Sequence, residues 1–349
     1  MSAKKIQKVE IEDDKSQSLQ RERLTNVVRR FAERRRIVVV GDLLADQFLY
    51  GEISRVSREA PVLILRHERT ETTPGGAANC AVNLAALGAQ ATLVGVVGDD
   101  EPGQALLEKL QAAHVDCRNI IVANGTHTTT KVRVLAGQMH STRQQVIRID
   151  YENQSRIEEH IRSLLREKLN EAARDADAVI VSDYNYGVAD PSMAETVREA
   201  TAQSKVPVIV DSRFRLQHFQ GFASATPNED EVEQLLGAQL DSETKLKTAG
   251  AQLRERLNYG ALLITRGSHG MTLFEAGKEL LQIEPIGARE AVDVTGAGDT
   301  VIAAYTLALA SGATFADAAR IANHAGGLVV MKRGTASITD EELLASVLR

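Results

Sequence analysis

The sequence lacks the features that mark several large classes of protein. It has only two cysteines, Cys80 and Cys117, in 349 residues, and their isolation argues against a disulfide framework or a zinc site. It has no run of 18 apolar residues and no signal-peptide core, which predicts a cytoplasmic protein that neither spans nor binds a membrane. Lys and Arg number 41 against 47 Asp and Glu, a net charge of −6, which argues against nucleic-acid binding. No Gly-x-x-x-x-Gly-Lys-Ser/Thr motif occurs, so a P-loop is excluded.

Short apolar runs alternate with helical patterns along most of the chain. The runs are rich in Val and Ile, as expected of strands buried on both faces, and the alternation predicts an α/β fold with a mainly parallel, doubly wound sheet and helices on both faces. We expect an N-terminal polar segment and helix over residues 1–35 and one principal domain over 36–349. The predicted strands cover 37–40, 92–97, 178–181, 206–210 and 261–264. The predicted helices cover 76–87, 102–113, 156–173, 192–203, 228–237 and 243–257.

Two stretches, about 47–70 and 126–150, break this alternation. They are β-rich and interrupted by polar residues, which predicts antiparallel strands in a small separate sheet. A sheet of this kind can cover a site and exclude water, or it can pair with another subunit. The pattern leaves both roles open.

Residues 292–300, Val-Asp-Val-Thr-Gly-Ala-Gly-Asp-Thr, form the most informative segment. Two glycines and an alanine precede Asp299 at the entry to an apolar helical run, 301–310. Unpaired N–H groups at a helix start hold anions, and a carboxylate beside them can take a proton from a hydroxyl. The segment therefore indicates phosphoryl transfer to an alcohol, with a plain glycine turn before a helix as the alternative.

Three further segments have both a structural and a functional interpretation. Residues 74–79 open a helix with small side chains and Asn79, which suits either tight packing or a ligand with hydroxyl groups. Asn228 and Glu231 form a capping-box pair, or they lie beside Mg²⁺ and nucleotide phosphates. Residues 265–270 form either a plain hairpin or a turn that passes close to ATP.

In this order and spacing, these segments resemble the PfkB, or ribokinase-like, sugar kinases over about residues 35–348. The resemblance implies a ribokinase-like fold with a β lid, dimerisation through that lid, ATP and Mg²⁺. It implies that Asp299 is the base and that Gly296, Ala297 and Gly298 form the anion hole. On the sugar side it implies Asp46, Gly75, Gly76 and Asn79. On the nucleotide side it implies Asn228, Glu231, Thr265, Gly267, Gly270 and Asn323, with Glu231 reaching Mg²⁺ through water. Asp293 resembles a ligand of the family's K⁺ site.

A narrower resemblance is to the D-glycero-β-D-manno-heptose-7-phosphate 1-kinases, in their stand-alone form. It is found in Gly41 to Asp46, Ser54 to Val62, 130–134 and Ser182-Asp183-Tyr184. It implies transfer of the ATP γ-phosphoryl group to the anomeric hydroxyl, giving the 1,7-bisphosphate used to make the ADP-heptose precursor of lipopolysaccharide. The lid cations Lys131, Arg133 and Arg143 are then candidate ligands of the 7-phosphate, or simply solvated charges.

The chain departs from that pattern at three positions, which keeps other substrates open. Arg58 stands in place of a proline, Tyr186 in place of a lysine, and Arg213 in place of another lysine. Arginine keeps the charge with a different geometry, whereas tyrosine does not. The alternatives are a PfkB kinase for a ketose, ribose or nucleoside, and a non-catalytic regulator that binds a sugar or nucleotide.

Overall fold

The computed structural model describes residues 17–137, 143–152, 157–204, 206–287 and 290–349. Parts of the predicted N-terminal segment and of the predicted lid therefore lie outside the described residues. The strands are β1 Arg36–Gly41, β2 Leu43–Val56, β3 Leu63–Gly76, β4 Gln90–Gly98, β5 Ile120–Ala123, β6 Thr130–Gly137, β7 Gln144–Tyr151, β8 Ala178–Asp183, β9 Val208–Ser212, β10 Ser224–Ala225, β11 Ala261–Thr265, β12 Met271–Glu275 and β13 Leu281–Ile283.

The helices account for the 3.6-residue patterns of the sequence. The first helix, α1, is described over 17–29 and continues into a 3₁₀ turn, Arg30–Glu33. The others are α2 Ala77–Ala86, α3 Glu101–Ala112, α4 Glu159–Ala173, α5 Pro191–Thr201, α6 Glu229–Leu236, α7 Glu243–Arg256, α8 Ala297–Ala310, α9 Phe315–Val329 and α10 Asp340–Val347.

The main sheet has nine strands in the order β13-β12-β11-β10-β9-β8-β1-β4-β5. Its pairs are parallel from β11 to β5, while β12 and β13 add antiparallel strands at one edge. Alternate residues of β1 enter two cores: Ile37 and Val39 face α1–α3 and α8–α10, whereas Val38 and Val40 face α4–α7. The predicted doubly wound α/β fold is confirmed.

The lid is a second sheet of four strands in the order β3-β2-β6-β7. Its two outer pairs are antiparallel as predicted, but the central β2–β6 pair is parallel. β2 and β6 both follow connections at the carboxyl edge of the main sheet, so they leave it in the same direction. This geometry places the lid over the edge at which parallel α/β sheets bind ligands.

Helix α1 packs into the same core as the helices of the main domain. Phe31 is fully buried in the cluster that also includes Leu84 of α2 and Leu307 of α8. A Cβ at Gly88 would lie 3.5 Å from the Phe31 carbonyl oxygen, just beyond the end of α2. A Cβ at Gly312 would lie 3.3 Å from Nη1 of Arg30, beyond the end of α8. The N-terminal turn therefore supports the far ends of two helices.

We expect Phe31→Ala to lower the free energy of unfolding by about 3–5 kcal/mol, because it leaves a cavity in a closed core. Urea unfolding monitored by circular dichroism measures the change. Leu19→Ala is the matched control, since Leu19 is 59% exposed on α1, the helix that leads into this turn. Equal, small effects of the two substitutions would show that α1 is not part of the folded core.

Candidate active site

The predicted phosphoryl-transfer segment forms the start of α8. Gly296 caps the helix with φ +75°, a left-handed conformation that glycine adopts without steric cost. A Cβ at this position would also collide with Nδ2 of Asn79. A Cβ at Gly298, in contrast, would meet no atom within 4 Å. The start of α8 thus has room for an anion beside Gly298, whereas the N–H of Ala297 donates to the carbonyl of Val294 over 3.2 Å.

Asp299 is buried two residues into this helix, and both of its oxygens accept hydrogen bonds. Nδ2 of Asn79 donates to Oδ2 over 2.8 Å, and the hydroxyl of Tyr184 donates to Oδ1 over 2.9 Å. Asn79 is held in turn by Nδ2 of Asn83, whose Oδ1 accepts from the hydroxyl of Thr300 over 2.8 Å. The network fixes the carboxylate in position and leaves each oxygen able to accept a further proton or hydrogen bond.

Burial raises the pKa of Asp299 to about 6, against the lowering effect of the hydrogen bonds from Asn79 and Tyr184. Asp299 is therefore mostly ionised at neutral pH, yet basic enough to receive a proton. Tyr184 was not among the predicted site residues. Its signal in the sequence was the Ser182-Asp183-Tyr184 match, which gave no indication that its hydroxyl reaches the base.

Asp42, at the end of β1, joins the two elements that hold Asp299. Its buried carboxylate accepts from the backbone N–H groups of Tyr184, Tyr186 and Val188, over 2.9–3.0 Å. Its own carbonyl oxygen accepts from the N–H of Ala77, the first residue of α2. One residue therefore positions both the loop with Tyr184 and the helix with Asn79.

The predicted sugar-binding residues converge beside Asp299. Asp46 lies on β2 directly opposite Thr73 of β3, close to Gly75 and Gly76. A Cβ at Gly75 would collide with Oδ2 of Asp46, and Gly76 has φ +59°. The two glycines therefore allow the lid strand to cross close to Asp46. Oδ1 of Asp46 accepts from Nη1 of Arg133 over 2.5 Å, which fixes the carboxylate as an acceptor for hydroxyl groups.

The nucleotide-side residues lie across the carboxyl edge of the main sheet, around the start of α6. Asn228 and Glu231 form the capping box that the sequence predicted as their structural role, with bonds of 2.8 and 2.9 Å. The N–H of Thr265 donates to the carbonyl of Pro227 over 2.9 Å, which brings the end of β11 beside α6. The functional role of this group remains a prediction.

Asp211, at the end of β9, is a further acidic residue that the predictions omitted. Burial raises its pKa well above the usual range, and the negative charges of Glu231 and Asp299 raise it further. Burial also raises the pKa of Glu231. Buried like charges are unfavourable without a counter-charge. Asp211 was detectable only as an acidic residue at a strand end, because sequence separation hides its approach to Glu231.

The remaining nucleotide-side residues have differing surroundings. Gly267 has φ +53° and open space at its Cβ position, whereas a Cβ at Gly270, with φ +78°, would collide with the carbonyl of Ile283. Asn323, buried on α9, donates from Nδ2 to the carbonyl of Glu284 over 2.7 Å. Gly270 and Asn323 thus have structural roles in shaping this side, and Gly267 leaves room for a ligand.

Asp293 joins the loop before α8 to the loop at Gly334. Its two oxygens accept from the N–H groups of Thr295 and Gly334, each over 2.9 Å. Within the described residues, no group of three or more His, Cys, Asp or Glu side chains is arranged to hold a metal ion. A cation near Asp293 would therefore need backbone carbonyl ligands, and this role remains a prediction.

The three predicted lid cations differ in their partners. Arg133 is paired with Asp46, and Arg143 with Glu68. Lys131 is 7% exposed and lies over the rings of Tyr184 and Tyr186. Only Lys131, of the three, faces the site without a carboxylate partner among the described residues.

Comparisons with known proteins agree with this geometry. A family model described as pfkB family carbohydrate kinase matches residues 34–342. The chain belongs to this family. It is thus a sugar kinase, which transfers a phosphoryl group to an alcohol, and the family implies use of ATP. Among the described residues, no helix is long and apolar enough to cross a membrane.

The curated relatives include proteins named Bifunctional protein HldE. That of Pseudomonas aeruginosa strain UCBPP-PA14 is 40% identical over 314 residues, covering 90% of this chain and 64% of the relative. That of Desulfatibacillum aliphaticivorans is 38% identical, covering 89% of this chain and 63% of the relative. The chain therefore spans less than two thirds of the length of these relatives.

Solved structures confirm the ribokinase-like fold. Arabidopsis thaliana ribokinase, complexed with ribose and ATP, is 23% identical with a TM-score of 0.71, covering 90% of this chain and 99% of that one. Escherichia coli phosphofructokinase-2, in complex with substrates and products, is 19% identical with a TM-score of 0.73, covering 90% and 98%. At these identities the likeness establishes the fold alone.

We expect Tyr184→Phe to move the acid limb of the kcat/KM profile upward from about pH 6, the pKa of Asp299. Losing a donor to the ionised carboxylate favours its protonated form, so activity is lost at higher pH as the pH falls. A hydrogen bond of about 1 kcal/mol corresponds to a shift of roughly 0.5–1 pH unit. Tyr186→Phe is the matched control, because that hydroxyl donates to Glu152 instead. If both variants leave the acid limb in place, Tyr184 does not act on Asp299.

Proposed function

We propose that this kinase phosphorylates D-glycero-β-D-manno-heptose 7-phosphate at its anomeric hydroxyl, with ATP and Mg²⁺. The observation that supports it most is the buried Asp299 carboxylate, held from both oxygens, beside the open helix start at Gly296, Ala297 and Gly298. The choice of heptose is supported by the sequence motifs and by the similarity to the HldE proteins. The product would be the 1,7-bisphosphate, toward an ADP-heptose precursor.

In this proposal, the sugar lies between the lid and the main sheet. Asp46 accepts hydrogen bonds from the sugar hydroxyl groups, and Asn79 can accept from them or donate to them. Gly75 and Gly76 form the floor of the sugar site. The reacting hydroxyl faces Asp299, which accepts its proton as the oxygen attacks the γ-phosphorus, and the bond from that phosphorus to ADP breaks. Phosphoryl transfer depends mainly on positioning and charge neutralisation, and the lid assists by excluding water.

ATP then lies along the start of α6, the end of β11 and the middle of α9, which bears Asn323. The N–H groups of Gly296 and Gly298 stabilise the charge on the transferred phosphoryl group. Glu231, through water, and Asp211 would hold Mg²⁺, which prefers oxygen ligands and would relieve the repulsion between these buried carboxylates. Thr265, Gly267 and Asn323 would face the nucleotide, and Asp293 would help to hold K⁺ through the adjoining loop.

We expect Asp299→Asn to lower kcat by roughly 10²–10⁴-fold, the usual range for a positioned base, while the fold and ATP binding are kept. A coupled assay for ADP and calorimetric titration of ATP measure the two effects. Asp317→Asn is the matched control, because Asp317 is also buried as the third residue of its helix, α9.

Retention of near-wild-type turnover in Asp299→Asn would remove this residue from the mechanism. The substrate is tested with wild-type protein on heptose 7-phosphate, plain heptose, ribose, fructose and a nucleoside. A preference for one of the others would contradict the heptose proposal and leave the sugar-kinase assignment intact. ATP binding without turnover on any sugar would support a regulator.

We also propose that the protein is a homodimer joined through the lid. β7 is an outer strand of the lid with all of its residues exposed, and it includes Val146, Ile147, Ile149 and Tyr151, each 41–58% exposed. An exposed apolar outer strand is a ready surface for pairing, and the family resemblance implies the same contact.

We expect Ile149→Lys to convert the dimer to a monomer, because it places a charge in the apolar contact. Light scattering after size-exclusion chromatography measures the mass. Val122→Lys is the control, since Val122 is 48% exposed on β5, an outer strand of the main sheet. A monomeric wild-type protein at assay concentration would contradict the proposal.

A further inference from the structure

Two threonine hydroxyl groups join the lid to the main domain beside the proposed site. Thr335 lies in the loop between α9 and α10, and its hydroxyl donates to the hydroxyl of Thr73, on β3, over 2.7 Å. The two residues are 262 positions apart in the chain. Among the described residues, no other hydrogen bond joins this loop to the lid. We call this contact the threonine pair.

On the lid side, the threonine pair leads to the residue proposed to bind the sugar. The hydroxyl of Thr73 donates onward to the main-chain carbonyl of Asp46 over 3.2 Å, and these two residues are direct neighbours across β2 and β3. A hydroxyl that accepts one hydrogen bond and donates another has its proton directed along the second bond. The position of Thr335 is therefore tied to the backbone that carries the Asp46 carboxylate.

On the main-domain side, Thr335 contacts the start of α8. A Cβ at Gly296 would lie 3.5 Å from Cγ2 of Thr335, so the threonine methyl group packs beside the glycine that caps the helix. The preceding residue, Gly334, donates its N–H to Oδ2 of Asp293 over 2.9 Å. The loop is thus attached both to the lid and to the segment that is proposed to hold the transferred phosphoryl group.

A second link between the lid and this loop is electrostatic. Arg133 of β6 forms an ion pair with Asp46, and it also acts on Asp293. Burial raises the pKa of Asp293, but the hydrogen bonds to its oxygens and the positive charge of Arg133 bring it below its usual value. A charge interaction changes slowly with distance, whereas a hydrogen bond weakens steeply when its atoms are misaligned. The threonine pair is therefore the more exacting of the two links.

We propose that Thr73 and Thr335 are positioning residues, which align the sugar-binding part of the lid with the helix start that receives the phosphoryl group. This role rests on the proposed kinase function, and it deepens that function by naming the contact that aligns its two halves. The pair acts through Asp46 on one side and Gly296 on the other. Alignment matters because a misplacement of about 1 Å between reacting groups can slow a reaction by roughly 10²-fold.

The test compares wild type with Thr335→Val, which keeps the methyl group beside Gly296 and removes the hydroxyl. We expect kcat/KM for the sugar to fall by about 2- to 13-fold, the range for one net hydrogen bond, with part of the loss in kcat. The Kd for ATP without sugar, measured by calorimetry, should stay constant. Thr335→Ser, which keeps the hydroxyl, should recover most of the loss.

A double-mutant comparison shows whether the two hydroxyl groups act as a pair. The loss caused by Thr335→Val should disappear in a protein that already carries Thr73→Val, because the acceptor has gone. Thr70→Val is the matched control, since it is the same change on the same strand, at a hydroxyl that contacts the exposed ring of His67 over 2.9 Å. The effect of Thr335→Val should persist undiminished beside Thr70→Val.

Hydrogen exchange followed by mass spectrometry gives a second measurement that needs no turnover. Adding the sugar alone should slow amide exchange over residues 331–336 in wild type, because a sugar that holds the lid also holds the loop bonded to it. This protection should be lost in Thr335→Val and kept in Thr70→Val. The sugar is the one that wild type prefers among heptose 7-phosphate, plain heptose, ribose, fructose and a nucleoside.

The outcomes separate the threonine pair from the proposed function. Losses that multiply in the double variant, or equal protection of the loop in wild type and Thr335→Val, would overturn the pair. A raised KM with unchanged kcat would reduce it to a simple tether of the lid. None of these results touches the role of Asp299. Conversely, a preferred sugar other than heptose 7-phosphate that shows the expected losses would support the pair and contradict the heptose assignment.

Discussion

The hydrogen bonds around the Asp42 carboxylate are the constraint on which the rest of the site depends. Three backbone N–H groups of the 184–188 loop converge on this buried side chain, and the Asp42 carbonyl holds the first turn of α2. Burial favours the neutral acid and the three N–H groups favour the charged form, and the net result is a pKa raised to about 6. Their joint effect is to fix Tyr184 and Asn79 relative to each other, and hence the two donors to Asp299.

Several buried carboxylates lie along the carboxyl edge of the main sheet. The negative charge of each is offset by a different set of neighbouring groups. Asp183 is paired with Arg215 and accepts from the hydroxyl of Ser212, which orders the loop that bears Arg213. Asp299 has two neutral donors. Asp211 and Glu231 have no salt bridge among the described residues, and they are the residues proposed to hold Mg²⁺. The distribution of counter-charge therefore separates residues that hold the fold from residues proposed to hold ligands.

The same comparison applies to the cations of the lid. Arg133 and Arg143 are neutralised by acids of the lid itself, whereas Lys131 projects over aromatic rings of the main domain. A sequence pattern treats these three residues as equivalent basic positions on β-rich segments. Whether each cation is free to bind an anion depends on whether a carboxylate already neutralises it. That carboxylate can be as many as 87 positions away in the sequence, as Asp46 is from Arg133.

The sequence by itself determined the α/β class, the alternation of strands and helices, and the helix start at 292–300 that is proposed to be catalytic, because these follow from local periodicity and from glycines at a helix start. It also indicated the lid, although not the parallel β2–β6 pair. Only the tertiary structure decided that Tyr184 donates to Asp299, that Asp211 approaches Glu231, and that Lys131 forms no salt bridge among the described residues. These contacts join residues from strands that are distant in the chain but end at one edge of the sheet. Local sequence patterns do not show which of these distant residues meet in space.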